Sequence, residues 1–195
     1  MRVDPDLLPN LGAAARYCDL LYEDRPGWVI AGAGVNGHFT KASYEYDHFV
    51  EMPYRWPTQR SDMLRQLLEK SAADDIFVTV LLRSAPNRRV KTSRALRGRY
   101  AWIDADPWDE ERNARLASAG RPIHRVSSGG GGEHVYVDLG DLQPSAKVGD
   151  YSRKLALRFS TDTWGGENKV LRLPGTFNHK GRARGGGSRL VQWLT

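Results

Sequence analysis

The chain has 195 residues, enough to bury a core of its own, and 40% hydrophobic residues with six Trp exclude a disordered polymer. Lys and Arg outnumber Asp and Glu by 29 to 23, for a net charge of +6 and a pI near 9.6, which suits a polyanionic partner. One cysteine, Cys18, excludes a Cys-rich zinc knuckle and an internal disulfide, and no apolar run reaches membrane-spanning length, so a cytoplasmic protein without a membrane partner is expected.

In chain order, a helix is expected around Leu11 to Leu21. Trp28-Val-Ile-Ala-Gly and His38-Phe-Thr-Lys, separated by Gly34-Val-Asn-Gly37, read as a hairpin around an Asn-Gly turn. Met63, Leu64, Leu67 and Leu68 recur at helical spacing after Pro57, predicting a helix to about Ala73. Ile76 to Leu82 is β-branched and apolar, hence a buried strand. Arg83, Arg88, Arg89, Lys91, Arg94, Arg97 and Arg99 follow, with no acidic residue between Ile76 and Ile103. A run this one-sided is a candidate track for nucleic-acid phosphates, with Arg88, Arg89 and Lys91 at its centre.

The second half reads as strand (Arg99 to Asp106), helix (about Trp108 to Ala119), strand (Pro122 to Ser127), glycine loop, strand (Glu133 to Leu139) and helix (Ser145 to Phe159). Short strands at Val170 to Leu173 and Arg189 to Trp193 close the chain. This is the order of a βαββαβ unit, an antiparallel sheet with helices on one face and the other face free for a substrate. The only low-complexity pieces are Gly129 to Gly132 and Gly185 to Gly187.

Strand alternation places Trp102, Asp104 and Asp106 on one face, with successive same-face residues about 6.6 Å apart along the strand. Two adjacent carboxylates repel unless a cation lies between them, and hard oxygen ligands suit Mg²⁺ or Mn²⁺. The same alternation turns His134, Tyr136 and Asp138 outward from their strand and Arg172 outward from the next. Carboxylates for metal with Arg and His for polyphosphate form an inventory for phosphoryl or nucleotidyl transfer. The glycines before His134 let backbone N–H groups approach phosphate oxygens. Asp162 is the first choice for a third acidic ligand, with Glu167 close behind. Arg172-Leu-Pro-Gly-Thr-Phe-Asn-His-Lys180 gathers Arg172 and Lys180 around a Pro-Gly turn that turn chemistry alone does not explain.

Asp104-Ala-Asp106, the Ser128-Gly-rich-His134 loop and the Arg-Leu-Pro-Gly-Thr-x-Asn-x-Lys ending resemble motifs I, II and III of the archaeo-eukaryotic primase superfamily, in particular the prim-pol and RepB-like primases of plasmids and phages. The resemblance covers roughly Ile76 to Lys180. It implies an α+β prim-pol fold, an N-terminal α/β module (about 1–95) joined to an RNA-recognition-motif-like βαββαβ module (about 96–195) in one catalytic domain. It also implies two divalent ions, Mg²⁺ or Mn²⁺, held by Asp104, Asp106 and a motif III acid mapped to Asp162, with Ser128 and His134 on the triphosphate of the incoming nucleotide. Single-stranded DNA template, primer and nucleoside triphosphates would be its partners. A helicase is a further expected partner, because the family often fuses such a domain to one and no Gly-x-x-x-x-Gly-Lys-Ser/Thr loop occurs here. The glycine loop holds one residue more than the usual motif, leaving Ser127 or Ser128 as the matching serine.

Two other readings compete. Arg97-Gly-Arg-Tyr-Ala-Trp102 faintly resembles the aromatic strand of an RNA-binding module, although that face ends in two carboxylates. A metal-dependent nuclease would use the same chemistry without consuming nucleoside triphosphate. A rolling-circle initiator is disfavoured because no His-x-His pair occurs.

Overall fold

The computed structural model describes residues 8–41, 43–106, 109–118, 120–163 and 166–194. Helix α1 (Leu11–Tyr22) starts at Asn10, whose side-chain oxygen accepts the Ala13 N–H at 3.0 Å, and it buries Ala14, Tyr17, Cys18, Leu21 and Tyr22. Cys18 is a buried apolar side chain, as its composition-based reading expected.

The expected Asn-Gly hairpin is not formed. Strand β1 (Gly27–Phe39) runs straight through Asn36-Gly37 and pairs antiparallel with β2 (Tyr44–Trp56), a strand the sequence reading lacked. Asn36 does adopt the left-handed conformation its type tolerates (φ 51°), but inside the ladder. The reversal falls after Phe39, where the Thr40 N–H donates to the Ser43 carbonyl at 2.8 Å.

Helix α2 (Arg60–Lys70) turns Met63, Leu64 and Leu67 into the core, and β3 (Asp75–Thr79) follows. Next come β4 (Gly98–Ala105), α3 (Glu110–Ala117), β5 (Ile123–Ser127), β6 (Glu133–Gln143) and α4 (Ser145–Phe159). Helix α3 starts where the Asp109 carboxylate accepts the Arg112 N–H at 2.8 Å; its expected ends, Trp108 and Ala119, lie outside the described residues. The short strands β7 (Val170–Arg172), β8 (Phe177–Asn178), β9 (Arg189–Leu190) and β10 (Gln192–Trp193) complete the order.

Two four-stranded antiparallel sheets result, β2-β1-β3-β7 and β10-β5-β6-β4, with β8 and β9 as a small ribbon. The β4-α3-β5-β6-α4 portion follows the expected βαββα order. The next strand, β7, leaves that sheet and pairs with β3 of the first one; at the free edge of β4 the described residues form a single antiparallel bridge, Asp104 with Asp162. One face of the second sheet, through Ile103, Ala105, Val135 and Val137, packs on Leu116 of α3 and Phe159 of α4.

The opposite face was expected to be open, and most of it is not. Trp102 and Tyr136 are buried in the main core with Tyr17 of α1 and with Val78 and Trp56 of the first sheet. The Tyr17 and Tyr136 hydroxyls satisfy each other at 2.7 Å, which removes the polar cost of burying two phenols. Asp138 is likewise buried, tied by two hydrogen bonds of 2.8 and 2.7 Å from the Arg99 guanidinium. The end of this face carrying Asp104 and Asp106 reaches a cleft.

Candidate active site

Register decides which groups meet. The β4–β6 ladder sets Asp104 directly opposite His134, and the isolated bridge sets Asp162 on the other side of Asp104. Helix α4 makes this possible by stopping at Ser160 in the left-handed conformation (φ 53°), after which the Thr161 N–H returns to the Ala156 carbonyl at 2.9 Å. Asp162, Asp104 and His134 therefore stand in one row across neighbouring segments. Glu167 does not line this region and lies within electrostatic reach of Arg83.

A cleft of about 330 Å³ is lined by Asp104, Asp106, Ser128, Gly130, Gly132, His134, Arg172, Asn178 and Lys180, with Tyr44, Tyr46 and Phe77 on its first-sheet side. Six of the seven metal- and nucleotide-site candidates from the sequence thus share one cavity, and Asp162 adjoins it. Of the two serines, Ser128 lines the cleft. Its N–H donates to the Gly132 carbonyl at 2.9 Å, and the Asn178 side-chain amide donates to its carbonyl at 2.7 Å, joining the glycine loop to the Arg172-to-Lys180 turn. Gly129 and Gly131 take positive φ (72° and 102°), and a Cβ on Gly132 would meet the Ala105 carbonyl oxygen at 2.6 Å, so the loop can hug the end of β4 only as glycine.

A second cavity of about 480 Å³ shares Asp106, Gly130 and Lys180 with the first and adds Arg184, Arg189, Gly186 and Gly187. The two glycine clusters of the sequence therefore face one groove whose cations suit phosphate oxygens.

Three residues that the sequence reading did not single out organise the site. The Lys169 ammonium lies 2.6 Å from Asp104 Oδ2 and 3.2 Å from Asp162 Oδ2. Asp75, buried at the start of β3, pairs with Arg172 at 2.6 Å, accepts the Tyr46 hydroxyl at 2.9 Å and accepts the His179 N–H at 2.8 Å. Arg172 is further fixed by Nη2 donating to the Tyr46 hydroxyl at 3.1 Å and by stacking 4.7 Å over the Phe77 ring, so it reaches the cleft already neutralised and oriented. Tyr46 is the third, and burial raises its phenol well above the usual range.

Burial pushes the Asp104 carboxyl up, but His134 in its protonated form, together with Lys169 and Arg172, outweighs it and holds the group below the usual carboxylate range. Burial lowers the His134 pKa to about 4, against the pull of Asp104. His134 is thus uncharged at neutral pH and Lys169 is the effective counter-charge. His134 Nε2 is 3.7 Å from Asp104 Oδ1, and its buried Nδ1 has no hydrogen-bond partner among the described residues.

Among the described residues no three His, Cys, Asp or Glu side chains converge as a closed metal cage. The donor chemistry nonetheless fits a hard divalent cation. Asp104 and Asp106 offer carboxylate oxygens at the cleft, and an ammonium already sits between Asp104 and Asp162, where positive charge is favoured. Such a cation would compete with Lys169.

The basic stretch is less uniform than its sequence suggests. Arg83 is buried, with Nε donating to the Ser93 hydroxyl at 3.3 Å, and Arg99 belongs to Asp138. Arg88 pairs with Glu51 at 2.5 Å, whereas Arg89 and Lys91 are exposed and make no ion pair with a described residue.

No protein-family model matches the sequence, and no curated protein does. Solved structures do match in shape. The catalytic domain of primase RepB′ in complex with initiator DNA superposes with a TM-score of 0.65 at 16% identity, over 95% of this chain and 84% of that one. This chain has the prim-pol fold. The cyanophage S-2L primase-polymerase domain of the archaeo-eukaryotic primase superfamily gives the same TM-score at 14% identity, covering 95% of this chain and 90% of its own. Against the longer primase RepB′ structure the chain spans 56% of the length, with a TM-score of 0.63 at 15% identity. The resemblance read from three short motifs thus extends, as a fold, over nearly the whole prim-pol-like chain.

Proposed function

We propose that the chain is a primase-polymerase catalytic domain, a nucleotidyltransferase that makes or extends primers on single-stranded DNA in plasmid or phage replication. The observation that carries this reading is the single cleft gathering Asp104, Asp106, Ser128, His134, Arg172 and Lys180 from three separate motifs. In the reaction, a primer 3′ oxygen bonds to the α-phosphorus of a nucleoside triphosphate, the bond to the β-phosphate breaks, pyrophosphate leaves and the hydroxyl proton passes to solvent. Asp104 and Asp106, with Asp162 beside them, would hold Mg²⁺ or Mn²⁺, which when bound supplies Lewis-acid stabilisation of the phosphate oxygens. Lys180 and the glycine-loop N–H groups meet the triphosphate, while Arg172, pre-oriented by Asp75 and Tyr46, presents a planar donor to it. His134 lines the same cleft beside Asp104 and would meet the triphosphate there.

The test is incubation with single-stranded template, Mg²⁺ or Mn²⁺ and labelled nucleotides, with and without primer. Asp104→Ala and Asp106→Ala should each lower incorporation about a hundredfold or more while remaining folded. Template cleavage without any nucleotide incorporation, or full incorporation by either folded variant, would overturn the reading.

A further inference from the structure

The first sheet carries a feature that nucleotide chemistry in the cleft does not use. Rings on or beside β2 form a continuous train, Phe39 to Tyr44 to Tyr46 to Phe77 to Phe49, with centroid steps of 5.0, 5.4, 5.9 and 5.7 Å. Strand β1 is cut away beneath them. A Cβ at Gly32 would overlap the Phe49 ring, one at Gly34 the Tyr46 ring and one at Gly37 the Tyr44 ring. The rings therefore rest on bare backbone, and Phe49 remains 38% exposed. Apolar rings held at a surface in this way are poor core material and good stacking surface.

The surrounding charge selects the occupant. Arg184 lies 4.3 Å over Phe39, Lys180 lies 5.9 Å from both Phe39 and Tyr44, and Arg88 lies 5.4 Å over Phe49. The carboxylates bordering the train, Asp75 and Glu51, are each paired to an arginine. The middle of the train, Tyr44, Tyr46 and Phe77, lines the catalytic cleft, and its Phe49 end touches the basic loop through Arg88. We propose that this aromatic face is a stacking platform for a single-stranded nucleic-acid segment, its bases on the rings and its phosphates along Arg184 and the basic-loop cations unpaired among the described residues, leading the strand between that loop and the cleft. The proposal rests on the reading of the chain as a template-dependent polymerase.

The experiment measures binding of a fluorescein-labelled oligothymidylate to the full chain by anisotropy, with EDTA and no nucleotide, across a salt series. Phe39 and Phe49 lie outside the catalytic cleft. Phe39→Ala/Phe49→Ala should weaken binding about tenfold or more, as loss of base stacking implies, with the slope of log affinity against log salt unchanged because no phosphate contact is lost. Phe49→Trp should retain affinity and show emission quenched by the bound base, whereas Phe49→Leu, equally apolar, should bind about fivefold more weakly or worse. Double-variant affinity within twofold of the parent, or Leu binding as well as Trp, would overturn the platform and leave an apolar surface suited to a protein. Should the double variant fail to fold, the Leu and Trp pair decides. Nucleotide incorporation by a parent whose DNA binding ignores these changes would sink only the platform; DNA binding that depends on them without any incorporation would sink only the polymerase reading.

Discussion

Replacing Lys169 by Met removes the ammonium while keeping most of the apolar stem, and its consequences follow from two distances. Asp104 Oδ2 at 2.6 Å and Asp162 Oδ2 at 3.2 Å lose their common partner, with Lys169 itself only 13% exposed and Asp104 a third exposed. The shorter contact, half-shielded, contributes on the order of 1 kcal/mol and the longer, more exposed one about half that. Without metal the variant should melt about 3–6 °C lower, at about 2–4 °C per kcal/mol for a domain of this size. A divalent cation at Asp104 must first displace the ammonium in the parent. Removing that competition should tighten Mn²⁺ binding about tenfold, since about 1.4 kcal/mol corresponds to a factor of ten. Mn²⁺ at a hundred times its dissociation constant adds about 2.7 kcal/mol of stability, so the variant should recover its melting loss in metal. Calorimetric Mn²⁺ titration and thermal melts with and without metal check both arms. A metal-free variant as stable as the parent, or equal Mn²⁺ affinity in the two, would refute Lys169 as the resident counter-charge.

Asp75→Ala should cost about 3–5 kcal/mol by leaving the Arg172 guanidinium buried without its carboxylate, measured by chemical denaturation at neutral pH. Asp138→Asn tests a pH dependence: the Arg99 hydrogen bonds hold the Asp138 carboxyl below its usual range, so their stabilisation is present above about pH 4 and is lost as pH falls through the lowered value. The parent should exceed that variant by about 1 kcal/mol at pH 7, with the gap closing in acid denaturation as the Asp138 carboxyl is protonated. Replacing Arg88, Arg89 and Lys91 together by Ala should flatten the salt slope of single-stranded DNA binding by about 1.4, because Arg88 is committed to Glu51 and two cations remain at about 0.7 each. An unchanged slope in the salt titration would mean that the strand runs elsewhere.

The parts of the fold with local chemical signatures were legible. Ser145 to Phe159 reads as a helix from its periodicity and is one, and Asp104 and Asp106 fall on a strand end where alternation puts them. Strand β2 was not legible because its aromatic residues alternate with Glu45, Asp47 and His48 and are interrupted by Pro53, which only an edge strand tolerates. The Asn-Gly signal in β1 was overridden by ring packing along the glycines. Tyr136 read as outward by counting it polar, and became core through a hydroxyl partner more than a hundred residues away. Asp75 and Lys169 carry no motif at all; each acquires its role only through a tertiary contact.

The departure of β7 from the second sheet explains why those contacts matter. After its single bridge at Asp162 the chain crosses to the first sheet, where the Lys169 carbonyl accepts the Val80 N–H at 3.2 Å while the Lys169 ammonium stays on Asp104 of the second sheet. One residue thereby links the two sheets, its backbone bonded beside one and its charge on the other. Directly after it, Val170–Arg172 pairs with β3 and delivers Arg172 to Asp75. Had the last strand of the βαββαβ unit simply joined the edge of β4, Asp104 would have kept a full ladder neighbour and Arg172 would have stood on the same sheet as the carboxylates. The crossover instead sets Arg172 on the first sheet, across the cleft from Asp104 and Asp106, which is the placement that the proposed binding of a nucleotide between them calls for.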